Sequence, residues 1–274
     1  MPTVTEAVED LVRATVDLPD SEMGRTWVWR EYDDEGLRFS LLMAQHELRD
    51  LAVRLAAMRP TSPSQAQRIL GQYHQAYRDL TGAIAGLLDE DLDRVPREGE
   101  WPLREVLRHM LGADYGFLGV IRFELSPERP RDAVEAEERL SSWRDDHGYR
   151  GPAALEGNVA AVRNALYEIH RRVLRELGGL SDAELERSSF YWDGPKPIRF
   201  RLHRFEAHMI QHTVQVDKTL VWIDRAPTEA RRLVRVLYRD LAAVEMLSSD
   251  SFGKPERDMV AKTIANRAAE IGAT

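Results

Sequence analysis

The stretch Pro152–Leu177, PAALEGNVAAVRNALYEIHRRVLREL, decides the fold class. Leu155, Val159, Val162, Leu166, Ile169, Val173 and Leu177 recur at steps of four and three, which lays them in one stripe along a helix. Arg, Asn, Glu and His stand between them, so one side is apolar and the other wet, as in a bundle helix. Gly178-Gly179 stops it. Moving outward, the same period returns. Upstream, Trp101-Pro102 opens a helix on Leu103, Val106, Leu107, Met110, Phe117, Leu118 and Ile121, with proline at the first helical position, where its missing N–H has no partner to lose. Before it, Ile69, Leu70, Tyr73, Ala76, Leu80, Ala83, Ile84 and Leu87 mark a helix over about 64–88, and Pro96 and Gly99 make the stretch between them a loop. Downstream, a long helix runs over about 197–224 and breaks before Pro227.

These four helices predict an all-α fold, an up-down four-helix bundle over 63–225 with additional N- and C-terminal helices. The N-terminal extension, 1–62, carries one long helix on Leu37, Leu41, Ala44, Leu48, Leu51, Ala52 and Leu55, ending before Pro60-Thr61-Ser62-Pro63. Residues 1–30 offer only a short amphipathic piece (Val8, Leu11, Val12, Val16) and a Trp27-Val28-Trp29 cluster. The C-terminal extension, 226–274, holds helices over about 228–247 and 256–271 and is expected to pack on the bundle. Residues 126–150 are predicted to be an exposed connection with a short helical piece, and 181–197 a loop turning at 191–195. No strand pattern is visible.

Composition removes several function classes. The 274 residues are 43% hydrophobic and 31% charged, too apolar for a disordered chain. The 38 Lys+Arg against 46 Asp+Glu leave a net charge of −8, which argues against nucleic-acid binding, where phosphate neutralisation needs a basic face. There is no cysteine, so disulfides, thiolate-held metals and thiol nucleophiles are excluded and any metal must be held by His, Asp or Glu. No spanning segment is expected and the acidic N-terminus lacks the apolar core of a signal peptide; a cytoplasmic protein is expected.

Most of the eight histidines carry no signal: His46, His74, His147, His170 and His203 have no partner at a ligand spacing that also faces the core. His208 and His212 do. Four apart on one helix, they project from the same apolar face as Phe205, Met209, Val216, Thr219, Leu220 and Ile223. Imidazoles in such a stripe need hydrogen-bond partners or a metal, and His-x-x-x-His places both on one ion. His109 flanks the stripe of the helix opened by Trp101 and is the candidate third ligand. Gly112, Gly116 and Gly119 form an edge beside it that admits either a close-packed neighbour or a ligand. Glu105, four before His109, and Gln215, three after His212, are candidates to orient the imidazoles. Arg201 and Arg204 precede His208 near the same face, where they either bind an anionic substrate or simply face solvent. Tyr191 and Trp192 either wall the pocket or plug the bundle end.

The stretch Trp101-Pro-Leu-Arg-Glu-Val-Leu-Arg-His109 with Asp114 following, and Glu206-Ala-His208-Met-Ile-Gln-His212-Thr-Val-Gln215, resemble the second and last bundle helices of the DinB/YfiT-like metalloenzyme family, over about residues 64–225. The long connection between the second and third bundle helices fits as well. Pro102 departs from the hydroxyl residue often seen after the tryptophan, which touches the cap and not the site. The resemblance implies that His109, His208 and His212 bind a divalent metal, zinc or nickel, with Asp114, Glu105 or Gln215 assisting by hydrogen bonds. It implies a small-molecule substrate and S-transferase or isomerase chemistry with a low-molecular-weight thiol such as bacillithiol or mycothiol, or related hydrolysis. The alternative is a non-catalytic helical binding module of the same fold; a homodimer is expected in either case.

Overall fold

The structure, a computed structural model, describes residues 2–26, 35–191, 194–248 and 252–272; the Trp27-Val28-Trp29 cluster and Trp192 lie outside the described residues, as does the side chain of Tyr191. Ten helices and one small hairpin are found among them. The helices are α1 Val4–Thr15, α2 Gly36–Met58, α3 Gln65–Ala83, α4 Leu103–Leu125, α5 Ala133–Asp146, α6 Val159–Leu177, α7 Asp182–Leu185, α8 Ile198–Trp222, α9 Glu229–Leu247 and α10 Lys254–Gly272. The all-α fold is thus what the periodicity predicts. The chain divides into two compact units, one of 1–62, 78–87 and 224–274, the other of 63–77 and 88–223.

The second unit carries the bundle. In the first part of α3, Tyr73 touches all three other bundle helices: its hydroxyl donates to Asp114 of α4 at 2.6 Å, and its ring lies 5.1 Å from His170 of α6 and 5.2 Å from Phe205 of α8. Helix α4 packs on both α6 and α8. Proline 102 sits one position earlier than its sequence suggests: it is the N-cap, with φ −65° and ψ 161°, and the helix starts at Leu103. Helix α6 starts at Val159, later than the periodicity predicts. Asn158 caps it by accepting from the Ala161 N–H at 3.0 Å, and Asp89 accepts from the Val159 N–H at 2.9 Å. Arg104 donates to the carbonyls of Leu155 and Gly157 at 3.0 and 2.8 Å, which holds the preceding segment in a non-helical course while Leu155 stays buried.

Two further expectations are corrected. The 126–150 connection is not merely exposed: α5 runs for 14 residues, capped by Asp132, and its Trp143 is buried with Tyr149, the two rings stacked at 5.4 Å. The absence of strands is also overturned. Residues Ser188–Tyr191 (β1) and Gly194–Pro197 (β2) pair antiparallel, Ser188 opposite Pro197. Four residues are too few for an alternating pattern to show. Gly194, at φ 82°, allows the reversal.

In the first unit, α1 packs on α10 and α9, and α2 on α9 and α10. Their shared core includes Val8, Leu11, Leu41, Leu48, Leu237, Tyr238 and Ile264. The two terminal stretches therefore fold together. Helix α1 is more than the short piece predicted because Thr3 and Glu6 form a capping box: the Thr3 hydroxyl accepts from the Glu6 N–H at 3.2 Å and the Glu6 carboxylate accepts from the Thr3 N–H at 2.7 Å. At the rim, buried Arg267 forks onto Glu47 at 2.7 and 2.9 Å, the bidentate geometry that suits guanidinium and carboxylate.

Candidate metal centre

Helices α4 and α8 bring His109, His208 and His212 together, with one ring nitrogen from each lying within 4.8 Å of the others. The i,i+4 pair converges because side chains four apart share a helix face, and α8 packs directly on α4. His208 Nε2 lies 3.1 Å from His109 Nε2. Two ligands about 2.0–2.1 Å from a tetrahedral centre would stand about 3.3 Å apart, so this pair already has the spacing of two ligands of one ion. His212 turns its Nδ1 to Gln215, whose Oε1 accepts at 2.8 Å. A proton held on Nδ1 leaves Nε2 with its lone pair free to ligate.

The surroundings keep His109 and His208 neutral. Burial pushes His208 down to about 3, with His212, His109 and Arg204 adding repulsion. Burial likewise lowers His109, helped by His212 and Arg108. Neutral imidazole is the form that binds metal. The walls are aromatic: Trp101 stands 5.4 Å from His109, and Phe117 presents an edge to His208 at 5.5 Å. His208 and His212 are buried and His109 half-buried, so the cluster is reached from the His109 and Trp101 side.

The remaining predicted residues are distributed differently. Gln215 lies against His212. The Glu105 carboxylate instead accepts from Arg108 Nε at 2.8 Å, a local i,i+3 pair on the wetter face of α4. Asp114 stands in the bundle core, where burial raises it to about 7 against the lowering effect of the Tyr73 hydroxyl; it is not in the cluster of mutually close ligand atoms. Arg201 neither faces solvent nor waits for an anion: it is buried and donates to Ser189 Oγ at 3.1 Å and to the Gly194 carbonyl at 2.7 Å, clamping the hairpin. Arg204 lies over the Phe117 ring at 5.6 Å. The glycine edge receives protein in part, although a Cβ on Gly112 itself would meet nothing within 4 Å. A Cβ on Gly119 would stand 2.8 Å from Tyr149 Cβ, and a Cβ on Gly151 would stand 2.8 Å from the Gly112 Cα.

The sequence placed Phe117 in the apolar stripe of its helix without linking it to His208, and a second histidine contact was missed. His74 Nδ1 lies 3.1 Å from His170 Nε2 in the core, with Tyr77 stacked on His170 at 3.9 Å. The two histidines lie on different helices, 96 positions apart, and no local period connects them.

A helical bundle with three imidazoles converging from two of its helices defines a metal-binding type of helical protein. The sequence model described as the DinB superfamily matches residues 72–216, more than half of the 274. The chain belongs to the DinB superfamily. No curated protein and no solved structure matches it.

Proposed function

We propose that this chain is a divalent-metal-dependent enzyme acting on a small molecule, with His109, His208 and His212 as the ligands and zinc or nickel as the ion. The observation that carries the reading is the convergence of the three imidazoles within 4.8 Å. A divalent ion held there would act as a Lewis acid, lowering the pKa of a water or thiol that it coordinates.

The chain's own groups favour the thiol, and with it S-transfer or isomerisation assisted by a low-molecular-weight thiol. All three ligands are imidazoles, no carboxylate among the described residues joins them, and Arg108 and Arg204 are near enough to repel protons from His109 and His208. Such surroundings leave the positive charge uncompensated and attract an anionic ligand. Gln215 would fix the His212 ring, while Phe117 would exclude water on the His208 side and Trp101 would flank the open side. The protein should be loaded with cobalt(II) and titrated with a low-molecular-weight thiol. A thiolate-to-cobalt charge-transfer band that is absent in His208→Ala supports thiol activation. Full cobalt loading with no such band would leave water activation and hydrolysis as the chemistry.

A further inference from the structure

Trp101, the ring at the open side of the histidine cluster, sits at the end of a loop that is tied to the C-terminal end of α8. Residues 97–100 form a turn. The Glu100 N–H donates to the Arg97 carbonyl at 3.1 Å, and Gly99 stands at φ 79°, a backbone angle that suits glycine. Both ends of the turn reach α8. The Arg97 guanidinium lies over the Trp222 ring at 4.5 Å; Lys218 Nζ lies over the same ring at 4.4 Å and stands 3.4 Å from Glu100 Oε1. Where the loop begins, Arg104 of α4 forks onto Asp93 at 2.6 and 2.7 Å. No side chain from Asp93 to Glu100 is buried. The loop therefore keeps its place through ion pairs and cation–π contacts, each modest by itself, and not through an apolar core.

We propose that Trp222 is a positioning residue: it holds the 97–100 turn as a strap beside the mouth of the histidine site, and through the strap it sets Trp101 against His109 and governs access to the ligand nitrogens. Trp101 follows Glu100 directly in the chain. Its ring is 44% exposed and lies 5.4 Å from His109, while His208 and His212 are buried behind, so it is the outermost wall of the site. A strap freed from Trp222 lets that ring leave His109. Helix α4 need not unfold for this, because Pro102 is already its N-cap and Trp101 lies outside it. Segments with few buried contacts are the ones that open locally, and this one borders the only half-buried imidazole of the three.

Labelling with diethylpyrocarbonate, which modifies neutral imidazoles, tests this on the metal-free full chain, each histidine being followed by mass spectrometry with exposed His46 as the reference. Arg97→Ala, at an exposed position, should speed labelling of His109 about two- to fivefold, the shift in an opening equilibrium that follows from losing one exposed cation–π contact. Trp222→Leu removes the ring under both cations and should exceed that, whereas Trp222→Phe keeps a ring and should restore a rate near that of wild type. Helicity should be unchanged in all three. An unchanged His109 rate in both Arg97→Ala and Trp222→Leu overturns the proposal. So does a rise shared by His74 and His170, buried in the bundle core, which would mean general loosening, and so does a Trp222→Phe protein that labels as fast as Trp222→Leu. The purpose of the strap rests on the proposed metal site, but the labelling does not: a chain that never takes up an ion can still show the strap, and a chain that binds its ion can still lack it.

Discussion

Among single residues, Gln215 bears most directly on how the imidazoles are held. Gln215 accepts from His212 at 2.8 Å and so fixes which nitrogen is free to ligate. We expect Gln215→Ala to weaken metal affinity about 10–100-fold, the range for losing an orienting partner, as read by competition with a chromogenic chelator; His46→Ala, on another helix of the other unit, should leave it unchanged. Asp114 makes a different prediction. Its folded value of about 7 lies above its ordinary 3.8, so the folded state holds a proton that the unfolded chain has released. Its contribution is present in full below pH 3.8 and is lost as pH rises toward neutrality. Asp114→Asn keeps an acceptor for the Tyr73 hydroxyl, and its urea-unfolding free energy should fall less between pH 4 and 7 than that of wild type; parallel curves would show that Asp114 does not titrate there. The His208–His212 pair was legible because both ligands share one helix. Asp114's partner was not, since Tyr73 lies 41 positions away and no local period connects them.

At the scale of elements, periodicity located the long helices and failed where capping and side-chain clamps took over. Helix α6 stops short at Asn158 because Arg104 and Asp89 hold its approach, contacts from other parts of the chain. The hairpin exists because Arg201 binds both its strands and Glu124 accepts from the Phe190 N–H at 2.8 Å. Replacing Arg201 by Met leaves those buried carbonyl and hydroxyl groups without their donor and should cost about 1–3 kcal/mol in thermal or urea unfolding. An unchanged midpoint would mean that the clamp contributes nothing. The glycine edge of α4 can be tested in the same way. Gly119→Val drives a side chain into Tyr149; overpacking of this kind costs about 1–3 kcal/mol, and the fluorescence of Trp143, stacked on Tyr149, should shift with it. A shift without loss of stability would show the connection to be free to move aside.

Across the whole molecule, the terminal stretches that sequence reading separates are one folded unit. Helical period says which residues turn inward and not which distant helix covers them; α1 and α2 are covered by α9 and α10, the farthest part of the chain. Deleting 226–274 removes Leu237, Tyr238, Leu241 and Ile264 from the core that holds Leu11, Leu41 and Leu48. The truncated protein should aggregate or bind a hydrophobic dye, whereas a soluble product with full helicity would show that α1 and α2 need no cover. Membership of the DinB superfamily rests on residues 72–216, and the three histidines lie inside that stretch. The most direct measurement is elemental analysis of protein purified without a polyhistidine tag, repeated after exposure to zinc and to nickel. We expect one divalent ion per chain in the wild type and none in His208→Ala. A wild-type protein that holds no ion and takes up neither metal would contradict the site.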